Sequence, residues 1–358
     1  MTAPADNPVT YPWGDILPAT GRTVELLPGV RWLRLGLPFV LDHINLWLLR
    51  DEIGGREGWT VVDCGLDSPK SRAAWQQVFD DELEGLPVLR VVVTHMHPDH
   101  IGLAHWLCER WSTPQHECML WISGTDWNAA RVACHAPVGW GGASAVAFFE
   151  RHGLRDPEAL EAVRGRRGAY AKLVPEVPNV FHRLMDGMVL DIGGHAWHCL
   201  AGYGHAPEHI ALHCPSREVL ISGDMVLPRI STNVSVYDIE PESDPLKLFL
   251  ESLRVMRALP GDPLVLPSHG KPFRGLKGRI DALLRHHEER FDEALRACRE
   301  APRSAADLLE LLFNRPLDAH QKTFAMGESV AHLHALRARG LLVGEDGADG
   351  VRRFRAVC

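Results

Sequence analysis

Two hydrophobic periodicities alternate along the chain. In the first half, "GVRWLRLGLP", "HINLWLLRD", "WTVVDCG" and "VLRVVVTH" are short runs rich in β-branched and aromatic residues, each closed by a turn-forming or polar residue. Their length and composition predict strands. "HIGLAHWLCERW" places apolar residues at helical spacing straight after the fourth run, so a strand should pass directly into a helix there. "CMLWISGTD" predicts a further strand. Residues 126–186 change character: "SAVAFFERHGL" and "PEALEAVRGRRGAYAKLV" carry helical periodicity broken by Gly and Pro, which predicts a helical insertion with little strand. Strands should return between 187 and 223 as "MVLDIGG", "HAWHCLAGY", "HIALHCP" and "EVLISGD", with "IGGH" and "CPSRE" suited to hairpin turns. A helix, "DPLKLFLESLRVMRAL", and a last short strand, "PLVLPSHG", follow.

Beyond residue 276 the strand pattern disappears until the chain's end. "RIDALLRHHEERFDEALRACRE" predicts a helix with alternating charge, and "SAADLLELLF" a second one that its Ser could cap. "GESVAHLHALRARGLL" predicts a third, ended by Gly340, and "LLVGEDGADGVRRFRAV" a hairpin. Three helices followed by a hairpin is the order of a winged-helix module. The pattern therefore divides the chain into residues 22–275, with 126–186 as an insertion, and a small module at 276–358.

Composition narrows the function classes. The chain has 358 residues, 46% of them hydrophobic and 23% charged, which is an ordinary globular balance. A net charge of -8 argues against general nucleic-acid binding, which needs a basic face. No apolar run reaches the roughly 20 residues of a membrane span. The N-terminal stretch lacks a basic segment followed by an apolar one, so no signal peptide is read and a cytoplasmic setting is expected. The eight cysteines contain no C-x-x-C pair and read as reduced, packed thiols.

The candidate chemistry begins in "THMHPDHIG". His95 and His97 are one residue apart, so on an extended strand end they point the same way. A turn at Pro98 would bring Asp99 and His100 back toward them. Three further ligand-type residues follow predicted strands next to Gly or Ser: His205 in "GYGHAPEH", Asp224 in "LISGDM" and His269 in "LPSHGKP". Imidazole and carboxylate donors of this kind suit zinc, with iron or manganese as alternatives. His209 shares a turn with His205 and is read as a local hydrogen-bonding group. His43, His105, His135, His198, His213, His286, His287, His332 and His334 are read as solvated or satisfied polar groups without partners.

With these four blocks in order and "VVDCG" ahead of them, the sequence resembles the metallo-β-lactamase superfamily over residues 22–275. The resemblance implies an α/β fold, a four-layer αββα sandwich, here with a small C-terminal helical or winged-helix domain. It implies that His95, His97 and His205 hold one metal, that Asp99, His100 and His269 hold a second, and that Asp224 bridges them: two Zn2+ per chain. Asp63 in "VVDCG" matches the position that orients a ligand from behind. Asp224 stands where antibiotic-degrading lactamases often carry Cys, so β-lactam turnover is not expected. The implied reaction is attack of a metal-bridging hydroxide on a small ester, thioester or lactone, with Asp99 and Asp224 as the catalytic carboxylates. Cys64 is read as a packed thiol.

The resemblance extends to a lactamase-β-like 2 branch in which a winged helix follows the catalytic domain and which includes an endoribonuclease. A metal-dependent endoribonuclease, or a nucleic-acid-binding protein using the winged helix, is therefore the alternative. Residues 276–358 hold 14 Lys or Arg against 13 Asp or Glu, too balanced for a nucleic-acid reader. Packing on the catalytic domain, or pairing as a homodimer, suits the module better. Sulfur oxidation by a one-iron relative is disfavoured because all seven ligand positions are filled. Arg229 and Asn233, a few residues beyond Asp224, are candidate substrate contacts. Arg164, Arg166, Arg167 and Lys172 could grip an anionic group on a small-molecule substrate, against the simpler reading of a solvated helix end. Trp127, Trp140, Phe148, Phe149 and Tyr170 could line its apolar part, although core packing accounts for most of them.

Overall fold

The central strands read as continuous apolar runs because both of their faces are covered. In the computed structural model, which describes residues 9–136, 141–313 and 315–357, seven strands form one sheet in sequence order. They are β1 (Thr23–Leu27), β2 (Val30–Gly36), β3 (His43–Ile53), β4 (Arg56–Val62), β5 (Val88–Val92), β6 (Met119–Ser123) and β7 (Phe181–Leu184). Alternate residues of β2, β3 and β4 serve two cores. Trp32, Trp47, Leu49 and Val62 face the second sheet. Leu33, Leu46, Leu48 and Val61 face a helical layer. That layer contains α1 (Pro69–Asp81), α3 (Ala104–Trp111) and α4 (Gly124–His135), and the short α2 (Pro98–Ile101) leads into it.

The second sheet has the order β12-β11-β10-β9-β8, built from β8 (Val189–Ile192), β9 (His195–Gly202), β10 (His209–Cys214), β11 (Val219–Gly223) and β12 (Leu264–Pro267). Ile210, Leu212, Ile221 and Leu266 meet Trp32 and Trp47 between the sheets. Ala211, Leu220 and Val265 point outward into a large helical core. Its helices include α5 (Ala143–Arg151), α6 (Pro157–Gly165), α8 (Pro245–Arg257), α9 (Leu276–Glu300), α10 (Leu309–Leu312) and α11 (Ala319–Ala338). The layers therefore run helix, sheet, sheet, helix, with α7 (Ala169–Leu173) beside the first sheet's core. The chain ends in a hairpin, β13 (Leu342–Asp346) and β14 (Arg352–Ala356).

Several boundaries differ from the sequence pattern. The helix expected from His100 breaks into α2 and α3, whereas over 157–174 the expected interruption by Gly falls between α6 and α7, with Gly168 at φ +70°. The region 126–186 is not wholly helical: β7 pairs parallel with β6 at the sheet edge, where its His182 stacks on Trp121. "CPSRE" forms a 3-10 turn with Glu218 at φ +51°, whereas Gly193 and Gly194 both take positive φ in the β8–β9 turn, as a tight hairpin requires. The third C-terminal helix starts at Ala319, eight residues ahead of the predicted stretch, behind a capping box of Asp318 and Gln321. Trp140 lies outside the described residues.

Candidate metal centre

β4, β5, β9, β11 and β12 all deliver their carboxyl ends to one edge of the sandwich. Main-chain bonds lock the loops there across the two sheets: Ile210 N donates to the Thr94 carbonyl at 2.8 Å, and Asn45 N to the Ser268 carbonyl at 2.7 Å. His97 occupies the N-cap position of α2 and Pro98 its first turn, where the fixed φ of proline suits a helix start. Asp99 and His100 therefore fall in that first turn and curl back toward His95. Gly102 permits the next step. A Cβ there would lie 2.5 Å from the Pro98 carbonyl and 2.8 Å from that of Gly65, so α2 can press against the loop after β4.

Two groups of donors result. His95, His97, His205 and Asp224 form one, and Asp99, His100 and His269 the other, with ligand atoms in each group within 4.8 Å of one another. His95 Nε2 lies 2.9 Å from His97 Nδ1 and 3.2 Å from His205 Nε2. Asp224 faces both groups: Oδ2 is 3.3 Å from His205 Nε2, and Oδ1 is 3.4 Å from His269 Nε2 and 3.7 Å from His100 Nε2. Asp99 Oδ2 lies 3.5 Å from His269 Nε2.

The opposite ring nitrogens show which way each imidazole is wired. His205 Nδ1 donates to the Asn233 carbonyl at 2.8 Å, and His269 Nδ1 to the His43 carbonyl at 2.7 Å. His100 Nδ1 bonds Asp63 Oδ2 at 2.9 Å. Each of these bonds leaves an unprotonated Nε2 aimed into the cluster, the arrangement a metal-binding imidazole requires. His100 Nε2 and Asp224 Oδ1 are buried without a hydrogen-bond partner. Converging lone pairs and orphaned buried acceptors are satisfied by a cation and by little else, so the residues present fit divalent metal ions. The electrostatics agree. Burial drives the His95 and His97 pKa values well below the ordinary range. Burial also opposes charge on His100, yet Asp63, Asp99 and Asp224 outweigh it and lift that ring to about 10. Three carboxylates around one imidazole demand positive charge, which a divalent ion would deliver in place of the proton.

Asp63 sits at φ +61°, and its Oδ1 also accepts Thr94 N at 2.8 Å. Two further positioning residues escaped the sequence reading. Asn45, fully buried, accepts from Trp32 Nε1 at 2.9 Å and donates to the carbonyls of Pro267 at 2.8 Å and Gly270 at 3.1 Å, clamping the loop that carries His269. Asp126 accepts Met96 N at 2.7 Å and Glu208 N at 2.6 Å, tying the His95 loop to the His205 loop. His209 is a local group as expected. Its Nε2 accepts Asp224 N at 3.2 Å, and a neutral ring suits that role, since burial lowers its pKa to about 3. Gly223 makes room for it: a Cβ there would stand 2.1 Å from His209 Nε2.

A model of the metallo-beta-lactamase superfamily matches residues 40–269, a span that contains all seven donors. The chain belongs to the metallo-beta-lactamase superfamily. A second family model, the metallo-beta-lactamase-like C-terminal domain, matches residues 291–357. A beta-lactamase domain protein from Burkholderia ambifaria is 52% identical, with a TM-score of 0.91 and 98% of both chains covered. A metallo-beta-lactamase family protein from Thermus thermophilus is 27% identical, with a TM-score of 0.73 over 93% of this chain and 100% of that one. The probable metallo-hydrolase YqjP of Bacillus subtilis is 25% identical over 86% of this chain and 91% of its own. This superfamily member is accordingly a metal-dependent hydrolase. No helix of the described residues is long and apolar enough to cross a membrane.

The remaining candidates separate in the structure. Arg229 is exposed on the loop after Asp224. Asn233 lends its carbonyl to His205, while its side-chain Oδ1 accepts Ser235 Oγ at 2.8 Å. Tyr170 donates to the Met96 carbonyl at 2.6 Å, between two of the histidine donors. Phe148 and Phe149 are core residues, and Trp127 stacks on Phe181. Some of the other histidines do have partners. His43 Nε2 accepts Gly270 N at 2.8 Å, His287 and His332 approach at 3.4 Å, and His334 donates to the Ser243 carbonyl at 3.0 Å.

Proposed function

We propose that the chain hydrolyses a small ester, thioester or lactone at a two-metal centre, with His95, His97 and His205 holding one ion and Asp99, His100 and His269 the other. The observation that carries this reading is the split of Asp224, with Oδ2 toward the first group and Oδ1 toward the second. Zinc suits these nitrogen and carboxylate donors, and iron or manganese would be accepted by them. When bound, such a pair of ions supplies an activated water and polarises the carbonyl under attack. The protein's own groups do the rest. Asp63, Asn233 and the His43 carbonyl fix three imidazoles, and His209 and Asn45 fix the loops of Asp224 and His269. Asp99, partly exposed, is the carboxylate that would carry a proton toward the leaving group in this reading. Cys64 offers no competing nucleophile, because burial raises its thiol pKa well above the ordinary value.

The nucleic-acid alternative gains no support from a chain of net charge -8. The test is a panel of esters, thioesters, lactones, phosphodiesters and β-lactams, with elemental analysis alongside. Carbonyl substrates should turn over, and His97→Ala should lose about a hundredfold or more of that activity. Full activity in His97→Ala would overturn the metal reading, and one iron per chain would overturn the two-metal one.

A further inference from the structure

The basic cluster at residues 164–172 separates in the structure. Arg164 is exposed and pairs with Glu161, and Arg167 and Lys172 are exposed. Arg166 is different. Half-buried in the turn between α6 and α7, it reaches across to α11, donates to the His320 ring and lies 4.8 Å over the Phe324 ring. Neighbouring carboxylates are engaged elsewhere. Asp156 caps α6 and pairs with Lys322, and Asp318 caps α11 through Gln321 N at 2.7 Å. Burial lowers the Arg166 pKa, with Tyr237 opposing. Among the described residues this half-buried guanidinium is faced by rings and not by a carboxylate, so it keeps charged donors that a bound anion can take.

Its position relates it to the metal centre from two sides. Tyr170, four residues further on in α7, donates to the carbonyl of Met96 between His95 and His97. On the other side lies the loop of Tyr237, where Ser235 bonds Asn233 and Asn233 holds His205. Val236 N, donating to the Gly327 carbonyl at 3.1 Å, fixes that loop to α11.

We propose that Arg166, with His320, forms an anion-binding subsite on the rim of the metal centre that takes a carboxylate or phosphate on the part of the substrate remote from the hydrolysed bond. This assignment rests on the hydrolase reading above and makes the substrate an anionic ester, thioester or lactone. Arg166 comes from the insertion and His320 from α11, so the C-terminal helix contributes directly to substrate selection.

Two experiments separate the subsite from the reaction. In the first, thioesters or esters identical at the scissile bond carry a terminal carboxylate, phosphate or neutral amide. Wild-type protein should favour one of the anionic substrates by about tenfold or more in kcat/KM, the scale of one charge-assisted hydrogen bond. Arg166→Gln should bring that ratio close to one, chiefly through KM, while Arg164→Gln should keep it. A wild-type ratio near one, or an equal loss on charged and neutral substrates, overturns the proposal. In the second, inorganic phosphate and acetate are titrated while the His320 ring resonances are followed by NMR. At least one anion should shift them in wild type, and the shift should vanish in Arg166→Gln. If neither anion moves His320, or if the shift persists in Arg166→Gln, the subsite is wrong. Anion binding without turnover of any carbonyl substrate would sink the hydrolase reading and leave the subsite standing.

Discussion

Asp63 shows how much of a metal site lies one layer behind the donors. It occupies no proposed ligand position, yet its carboxylate fixes the His100 ring through a 2.9 Å bond to Nδ1 and anchors Thr94 N at 2.8 Å. Its backbone stands at φ +61°, a conformation that Asp and Asn tolerate better than most residues. Asp63→Asn should therefore keep the fold while weakening the hydrogen bond and removing a negative charge beside His100. Metal affinity, read by competition with a chelator, should fall about 10–100-fold. Unchanged affinity would mean that His100 is positioned by something else. The donors themselves could be read from sequence because each follows a strand. Asn45 and Asp126 could not, because their partners lie 222 and 82 residues away and depend on how loops from two sheets meet.

At the scale of elements, apolar runs revealed the central strands because both of their faces are buried. Short or polar-faced elements stayed hidden. β7 is four residues long and pairs on one side, so its apolar content is too small to stand out within a helical stretch. The break between α6 and α7 was legible, because Gly168, which takes φ +70°, is one of the glycines that interrupt the helical pattern. The loop after β12 tests how strictly the strand ends are held. Asn45 bonds two of its carbonyls and accepts from Trp32 and from Arg34 Nε at 3.1 Å. Asn45→Ala leaves the buried indole N–H without its acceptor and releases the His269 loop. Stability measured by urea unfolding should drop by on the order of 3 kcal/mol, since buried groups lose their partners. In the same variant, metal binding to the Asp99–His100–His269 group should weaken more than binding to the other. Equal weakening of both would show that the clamp acts on the whole mouth.

Over the whole molecule, the C-terminal helices are not an appendage. Phe291 of α9 and Leu333 of α11 share one core with Leu220 and Val265 of the second sheet. Four buried histidines lie in and around that junction. His152 lies tilted against Phe148 at 4.7 Å and approaches His334 at 6.1 Å, while His287 meets His332. Burial lowers all four pKa values, to about 3 for His152 and about 4 for His332. A histidine whose folded pKa is depressed contributes its full stability above the unfolded value of about 6.5, where both states are neutral. As pH falls below that point the unfolded chain takes up a proton that the folded one refuses, and the contribution is lost progressively toward the folded pKa. At pH 5.5 a ring held at about 3 or about 4, as His152 and His332 are, costs about 1.4 kcal/mol relative to pH 7.5. The metal donors titrate as well, so a single acid-unfolding curve cannot isolate the junction. A comparison with His152→Phe does, since both proteins carry the same metal site and phenylalanine fits beside Phe148. Between pH 7.5 and 5.5 the variant should lose about 1.4 kcal/mol less stability than wild type in urea unfolding. Parallel loss in the two proteins would show that His152 is protonated in the folded state and that acid acts on the sandwich through the metal mouth instead.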